Sequence, residues 1–278
     1  MTNTTIDVVD LGSGIVEIAF DRPDKLNAFN HTLQAEFAAA LAAAGERPDL
    51  RAVFVTGRNG TFSAGNDMTE LDYLATASTR EIHRRLQDDK GWLDDVWRFR
   101  QPVIAVVERF AFGAAAELVG RCDLAICSPE AQFGWPEVRA GGVPASTWPV
   151  VLGGAKKVKE WFMTGRTFSA WEAERAGLVN LVAEQGRLAE LYAGLVKNMS
   201  ALEPTSLAAV KHEVNTALER RGALEIVELG HLHNALSNEA DIAKEHWTRV
   251  ANEGARAAAR RLAERNVPYW EAAQQPPR

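Results

Sequence analysis

Short apolar runs bounded by Gly, Pro and Asp punctuate the first half of the chain. Beyond Pro149 the apolar residues recur at helical spacing instead. Residues 6–9 and 14–20 read as two strands joined by a Gly-Ser-Gly turn, an opening hairpin. Asp21-Arg-Pro-Asp24 breaks the second strand and residues 25–28 follow as a loop. Asn30 or Thr32 is placed to cap a helix whose apolar positions are Leu33, Phe37, Ala40, Leu41 and Ala44, with Gly45 as its stop. Residues 52–56 form a short buried strand, and 62–67 a loop of small residues where backbone approaches something closely. Residues 73–100 are polar and helical in pattern, with Ile82, Leu86, Leu93, Val96 and Trp97 on one side. Residues 102–107 are apolar throughout, as in a strand covered on both faces. A turn at Gly113 leads into a helix, and 123–127 is another strand. This alternation predicts parallel strands with helical crossovers, an α/β fold. In the last third, 155–163, 170–176, 188–200, 204–216, 223–236, 242–251 and 255–265 read as helices. Their thin, Ala-rich stripe suits packing either on another subunit or within the chain.

Composition narrows the function classes. At 278 residues the chain suits one large domain or one domain with a helical appendage. A net charge of −6 argues against nucleic-acid binding, which needs a basic face. Cys122 and Cys127 are the only cysteines, five apart in an apolar segment, and read as reduced core residues. The six histidines lack ligand spacing, so no metal site is expected. The N-terminus has no basic and apolar leader pattern, and no apolar run approaches the ~20 residues of a membrane span. A soluble, cytoplasmic protein is expected.

The candidate chemistry lies in residues 110–144, with a second contribution from 62–67. If a helix starts near Ala114, its first N–H groups lack intrahelical partners and sit at the positive end of the dipole, suited to an oxyanion. Glu117, three residues on, shares a helix face with Ala114. Phe110, Phe112, Ala114, Ala115, Ala116, Leu118 and Val119 leave no polar face around it, so a carboxylate there is costly unless it is used. Glu137 follows Gly134-Trp135-Pro136. Alone it is a weak signal, but paired with Glu117 it offers two carboxylates that divide acid and base work. The loop Ser63-Ala-Gly-Asn-Asp67 is a candidate for a second N–H donor.

These residues carry a family resemblance. Arg22-Pro-Asp-Lys-Leu-Asn-Ala28, Phe62-Ser-Ala-Gly-Asn-Asp67, Pro102-Val-Ile-Ala-Val-Val107, Phe112-Gly113, Cys122-Asp-Leu-Ala-Ile126, Pro136-Glu137, Gly142-Val-Pro144 and Ala176-Gly-Leu-Val179, with Leu262-Ala-Glu-Arg265 and Pro268 near the end, resemble the crotonase (enoyl-CoA hydratase/isomerase) family. The resemblance implies a crotonase-like α/β spiral of ββα units over residues 1–200, and a helical C-terminal oligomerisation region over 201–278, assembled as a trimer or dimer of trimers. It implies an acyl-CoA thioester substrate, coenzyme A being part of that substrate and not a separate cofactor. Neither nucleic acid nor membrane is expected as a partner. The oxyanion donors map to the N–H groups of Asn66 and Ala114. Glu117 and Glu137, 20 residues apart, fall on the two glutamate positions of the hydratases, which favours hydration of a 2-enoyl-CoA. An isomerase, a hydrolase or lyase for ring-containing or hydroxycinnamoyl-type thioesters, and a non-catalytic acyl-CoA-binding module are the alternatives. Substrate contacts are expected from Lys25, Ala28, Ala64, Gly65, Asp67, Met68, Gly113, Trp135 and Gly142. Lys25 is a candidate for a CoA phosphate, a solvated loop lysine being the plainer reading. The chain departs from the family at Ala114-Ala-Ala116, where Gly-Gly-Gly-like runs are usual. It departs again at Asn66, where apolar residues are commoner, and in the 142–148 run. Trp92, Trp97, Trp135 and Trp148 either line the acyl pocket or fill core and subunit contacts.

Overall fold

The computed structural model describes residues 4–144 and 154–264. Six strands form the main sheet: β1 (Ile6–Gly12), β2 (Ile15–Phe20), β3 (Ala52–Gly57), β4 (Val103–Val107), β6 (Leu124–Cys127) and β9 (Leu181–Val182), in that spatial order. Only the β1–β2 hairpin is antiparallel; each later neighbour joins parallel. Alternate side chains feed two cores. Val16, Ile18, Val53, Val55, Val103 and Ala105 face one, and Ile15, Phe54, Ile104 and Ile126 the other. Burial on both faces explains why these strands read as unbroken apolar runs.

A second, shorter sheet of β5 (Phe110–Phe112), β7 (Gln132–Gly134) and β8 (Thr167–Ser169) was not legible from pattern. Strands of three residues are too short to show a period of two. The parallel bridges Phe29–Asn66 and Ser63–Ala111 extend this row through the loops of the earlier turns. Each turn of the chain thus adds a strand to the main sheet and a short segment to the second row, which is the ββα spiral expected.

The helices are α1 (His31–Gly45), α2 (Thr79–Arg98), α3 (Ala114–Arg121), α4 (Ala155–Thr164), α5 (Ala170–Arg175), α6 (Leu188–Ser200), α7 (Pro204–Glu219), α8 (Glu225–Ser237), α9 (Asp241–Glu253) and α10 (Ala255–Glu264). The Asn30 side chain accepts from Leu33 N–H and caps α1. The helix expected over 73–100 begins only at Thr79, because the Ser78 side chain accepts from Glu81 N–H and two 3-10 turns, Met68–Glu70 and Asp72–Ala75, precede it. Trp92 packs edge-on against Phe29 and Phe37, with ring centroids 5.0 and 5.4 Å apart.

The C-terminal helices fold back on the spiral. Lys211 of α7 is buried and donates to Asp123 Oδ2 at 2.8 Å and to the carbonyls of Val96 and Gln101. Asp123 Oδ2 also accepts from Val103 N–H at 2.7 Å, so one ion pair locks α7 to the starts of β4 and β6. Helix α8 packs along α2, and α9 packs on the 68–75 turns and on residues 136–140. Removing one partner of such a pair strands the other charge in the interior. Lys211→Met is expected to cost about 3–5 kcal/mol, read as a lower urea midpoint at unchanged slope; an unaltered midpoint would remove the ion pair from the account of this interface.

Candidate active site

The second row brings the site together. The Ser63 N–H bonds the Phe110 carbonyl, and Gly113 N–H bonds the Gly134 carbonyl at 2.9 Å. The loop 62–67, the Gly113 turn and the segment entering Pro136 therefore lie side by side. Gly65 takes φ +91°, and a Cβ added there would fall 2.4 Å from the Phe112 carbonyl oxygen and 3.4 Å from Ala114 N. Only glycine fits.

Phe29 N–H donates to the Gly65 carbonyl and its own carbonyl accepts from Asp67 N–H, at 2.7 and 2.9 Å. In this parallel bridge the intervening Asn66 turns its N–H away from Phe29. Ala114 is the first residue of α3, so its N–H has no intrahelical acceptor, and Gly113 offers no capping side chain. Gly65 thus packs against the head of α3, with Asn66 next to it in the chain.

Both glutamates sit at this junction. Gly113 adopts φ 53° and ψ −120°, a conformation open to glycine, and a Cβ on it would meet Glu137 Oε1 at 3.0 Å. The Glu137 carboxylate therefore rests on the turn that starts α3. Glu117 lies in the first turn of that helix, 3% exposed, its N–H bonded to the Gly113 carbonyl. Glu137 itself belongs to a one-turn segment, Pro136–Ala140, closed by left-handed Gly141.

Other expected contact residues have distinct placements. Ala28 is buried and Ala64 half-buried beside it; Met68 opens the turn after the loop. Gly142 N–H holds the Glu137 carbonyl at 3.0 Å. Lys25 is exposed on the 23–25 turn, open to solvent. Asp67 is committed elsewhere: it pairs with Arg22 at 3.0 Å and accepts from Thr69, so it braces the loop. Trp135 is a correction to the expected substrate wall. It is fully buried in an aromatic stack with Trp161, Phe162 and Phe168, where ring burial outweighs exposure to a cavity. Trp92 and Trp97 are core residues too, and Trp148 lies outside the described residues. Two surface grooves of about 530 Å³, one by α6 and one between β1 and α1, contain none of the site residues.

Pattern reasoning missed Asn27 and Arg22. Asn27 is fully buried; its Oδ1 accepts from Arg22 N–H, and its Nδ2 donates to the Thr61 carbonyl at 2.6 Å. Arg22 donates to the Ala28 carbonyl as well as to Asp67. Together they tie residues 22–29 to the 61–67 loop. The signal was present in Arg22-Pro-Asp-Lys-Leu-Asn-Ala28, but a loop motif does not say which groups its polar residues satisfy.

Among the described residues no group of three or more His, Cys, Asp or Glu is arranged to hold a metal ion, and no helix is long and apolar enough to cross a membrane.

A spiral of ββα turns carrying this junction defines a crotonase-fold protein. The chain belongs to the enoyl-CoA hydratase/isomerase family, whose model matches residues 10–257. A Thermus thermophilus protein named as an enoyl-CoA hydratase is 31% identical over 241 residues, 86% of this chain and 95% of that one. The hydroxycinnamoyl-CoA hydratase-lyase of Pseudomonas fluorescens is 29% identical over 209 residues, 73% of this chain and 76% of that protein. The crystal structure of an enoyl-CoA hydratase/isomerase from Xanthobacter autotrophicus Py2 superposes with a TM-score of 0.88 at 26% identity, covering 95% of this chain and 99% of that one.

Burial pushes the Asp67 carboxyl up, but hydrogen bonds from Thr69 and the Arg22 ion pair outweigh it, and the net shift is downward. A depressed folded value means the stabilisation is present above the unfolded value of about 3.9 and fades as pH falls through the folded one. Asp67→Asn should therefore lower stability at pH 7, with the gap to wild type closing below about pH 4; a gap independent of pH in thermal melts would show that the charge is immaterial.

Proposed function

We propose that the protein is an enoyl-CoA hydratase, adding water reversibly and syn across the double bond of a 2-enoyl-CoA thioester. The observation that carries this reading is the Glu137 carboxylate resting on the Gly113 turn, at the head of the helix bearing Glu117. The thioester carbonyl would accept hydrogen bonds from the N–H groups of Asn66 and Ala114, which stabilise the enolate oxygen as negative charge develops. Both donors are fixed before reaction, so no reorganisation is needed when the charge forms. Glu117 takes a proton from water as its oxygen attacks Cβ, and Glu137 delivers a proton to Cα. Two carboxylates, one protonated and one not, suit this division of work. Alanine at 114 preserves the backbone donor, and its methyl group would narrow the space beside it.

A hydratase-lyase acting on hydroxycinnamoyl-type thioesters is the second reading. It is favoured by the similarity to the Pseudomonas fluorescens enzyme. The burial of Trp92, Trp97 and Trp135 in the core withdraws the aromatic wall that would otherwise support it. A double-bond isomerase would need only one of the two glutamates.

Loss of enoyl-thioester absorbance with crotonyl-CoA and a cinnamoyl-type CoA tests these readings. Glu117→Gln and Glu137→Gln are each expected to lower kcat by about 10²–10⁴-fold. If only one substitution matters, isomerisation is the better description; an inert wild type on both substrates would sink the hydratase reading. Gly65→Ala, whose methyl group cannot fit against the Phe112 carbonyl, should lower kcat by roughly 10²–10³-fold through the oxyanion donors, and full activity in that variant would remove the Asn66–Ala114 site from the mechanism.

The assembly we propose is a homotrimer or dimer of trimers. Exposed Val210 and Val214 on α7, and Leu229, Leu232 and Leu236 on α8, support it as apolar stripes left open to solvent. Sedimentation equilibrium should give three or six times the chain mass of 30.4 kDa, and a monomer at micromolar concentration would contradict it.

A further inference from the structure

The segment after Glu137 is held from outside its own turn. A Cβ on Gly141 would meet Ile242 Cγ2 at 2.5 Å and Ala243 N at 3.0 Å, so the start of α9 lies directly against the cap of the Glu137 turn. Two residues further on, the Val143 carbonyl accepts a hydrogen bond from Asn234 Nδ2 of α8. Among the described residues, Asn234 is the side chain that hydrogen-bonds the backbone of 141–144.

The direction of this bond is set further back. The Trp247 indole on α9 can only donate, and it gives its N–H to Asn238 Oδ1 at 2.9 Å. The buried Asn238 amide must then turn its NH₂ toward Asn234, donating to Asn234 Oδ1 at 2.7 Å and to the Asn234 carbonyl at 2.8 Å. With its oxygen engaged, Asn234 presents NH₂ to Val143. A donor-only residue at one end thus fixes the sense of two amides, which could otherwise be flipped.

We propose that Trp247, Asn238 and Asn234 form a positioning relay for Glu137, through which the C-terminal helix pair fixes the carboxylate over the Gly113 turn. The inference rests on the two-carboxylate reading of the site. The physical need is plain. A five-residue 3-10 turn holds its geometry weakly. Glu137 is anchored through its carbonyl to Gly142, and Gly142 is one peptide from the carbonyl that Asn234 grips. A catalytic group displaced by about 1 Å can lose up to 10²-fold in rate.

Asn234→Asp keeps the shape of the side chain but sets an acceptor against the Val143 carbonyl. Trp247→Phe keeps most of the packing and removes the donor that sets the relay. For Asn234→Asp we expect kcat to fall roughly 10- to 100-fold with KM nearly unchanged, and Trp247→Phe to follow in the same direction with a smaller loss. Glu137→Gln/Asn234→Asp should be no slower than Glu137→Gln alone, because the relay acts only through Glu137. A readout independent of turnover is hydrogen exchange by mass spectrometry. Peptides spanning 136–144 should exchange faster in Asn234→Asp, while those spanning 103–127 stay as in wild type. Unchanged kcat with unchanged exchange, multiplicative losses in the double variant, or faster exchange throughout the chain would each overturn the relay. If wild type turns over no enoyl-CoA thioester, the hydration reading fails by itself. The exchange result then decides the relay alone, selective loosening of 136–144 supporting it and no loosening refuting it.

Discussion

The approach of Gly65 to the Phe112–Ala114 backbone is the constraint on which the rest of the site depends. A side chain on Gly65 would overlap the Phe112 carbonyl, and one on Gly113 would crowd the Glu137 carboxylate. Both glycines also hold positive φ. Their bareness lets two peptide segments and a carboxylate share a space that a single methyl group would fill. The short second row of strands exists to bring those segments there, since its hydrogen bonds run from 63 to 110 and from 113 to 134.

Such close backbone packing leaves polar groups to satisfy, and buried side chains do so. Asn27 bridges the 22–29 loop to Thr61, and Arg22 holds both Ala28 and Asp67. An unsatisfied buried polar group costs about 1–3 kcal/mol, so these bonds fix the loops as firmly as apolar contacts would. In the proposed reaction, rigidity at this junction matters because hydrogen-bond donors stabilise developing charge by being in place beforehand.

The C-terminal helices are joined to the spiral through polar contacts at two places. Lys211 docks α7 at the N-terminal ends of two sheet strands, and the Trp247–Asn238–Asn234 relay reaches the loop behind Glu137. Helices that sequence periodicity marks simply as an α-helical third are therefore part of the support for the second glutamate. This arrangement also leaves apolar side chains on α7 and α8 open to solvent.

The hairpin, the apolar strands of the main sheet and most helices were written in local pattern, because their periods and their Gly, Pro, Asn and Ser punctuation are properties of contiguous residues. Glu117 was legible for the same reason: a carboxylate in an apolar helix advertises its cost within a few positions. The second row was not, since strands of three residues gain their stability only from neighbours far away in the chain. Trp135 was misplaced because local sequence cannot tell a pocket wall from a core stack, a distinction made by Trp161 and Phe168. Sequence by itself determined the main-sheet strands, most of the helices and the residues with chemical potential, because those signals lie in contiguous positions. Tertiary structure alone decided that Gly65, Gly113 and Glu137 meet, because only the close approach of distant backbones determines which positions must lack a side chain and which carboxylate fills the space they leave.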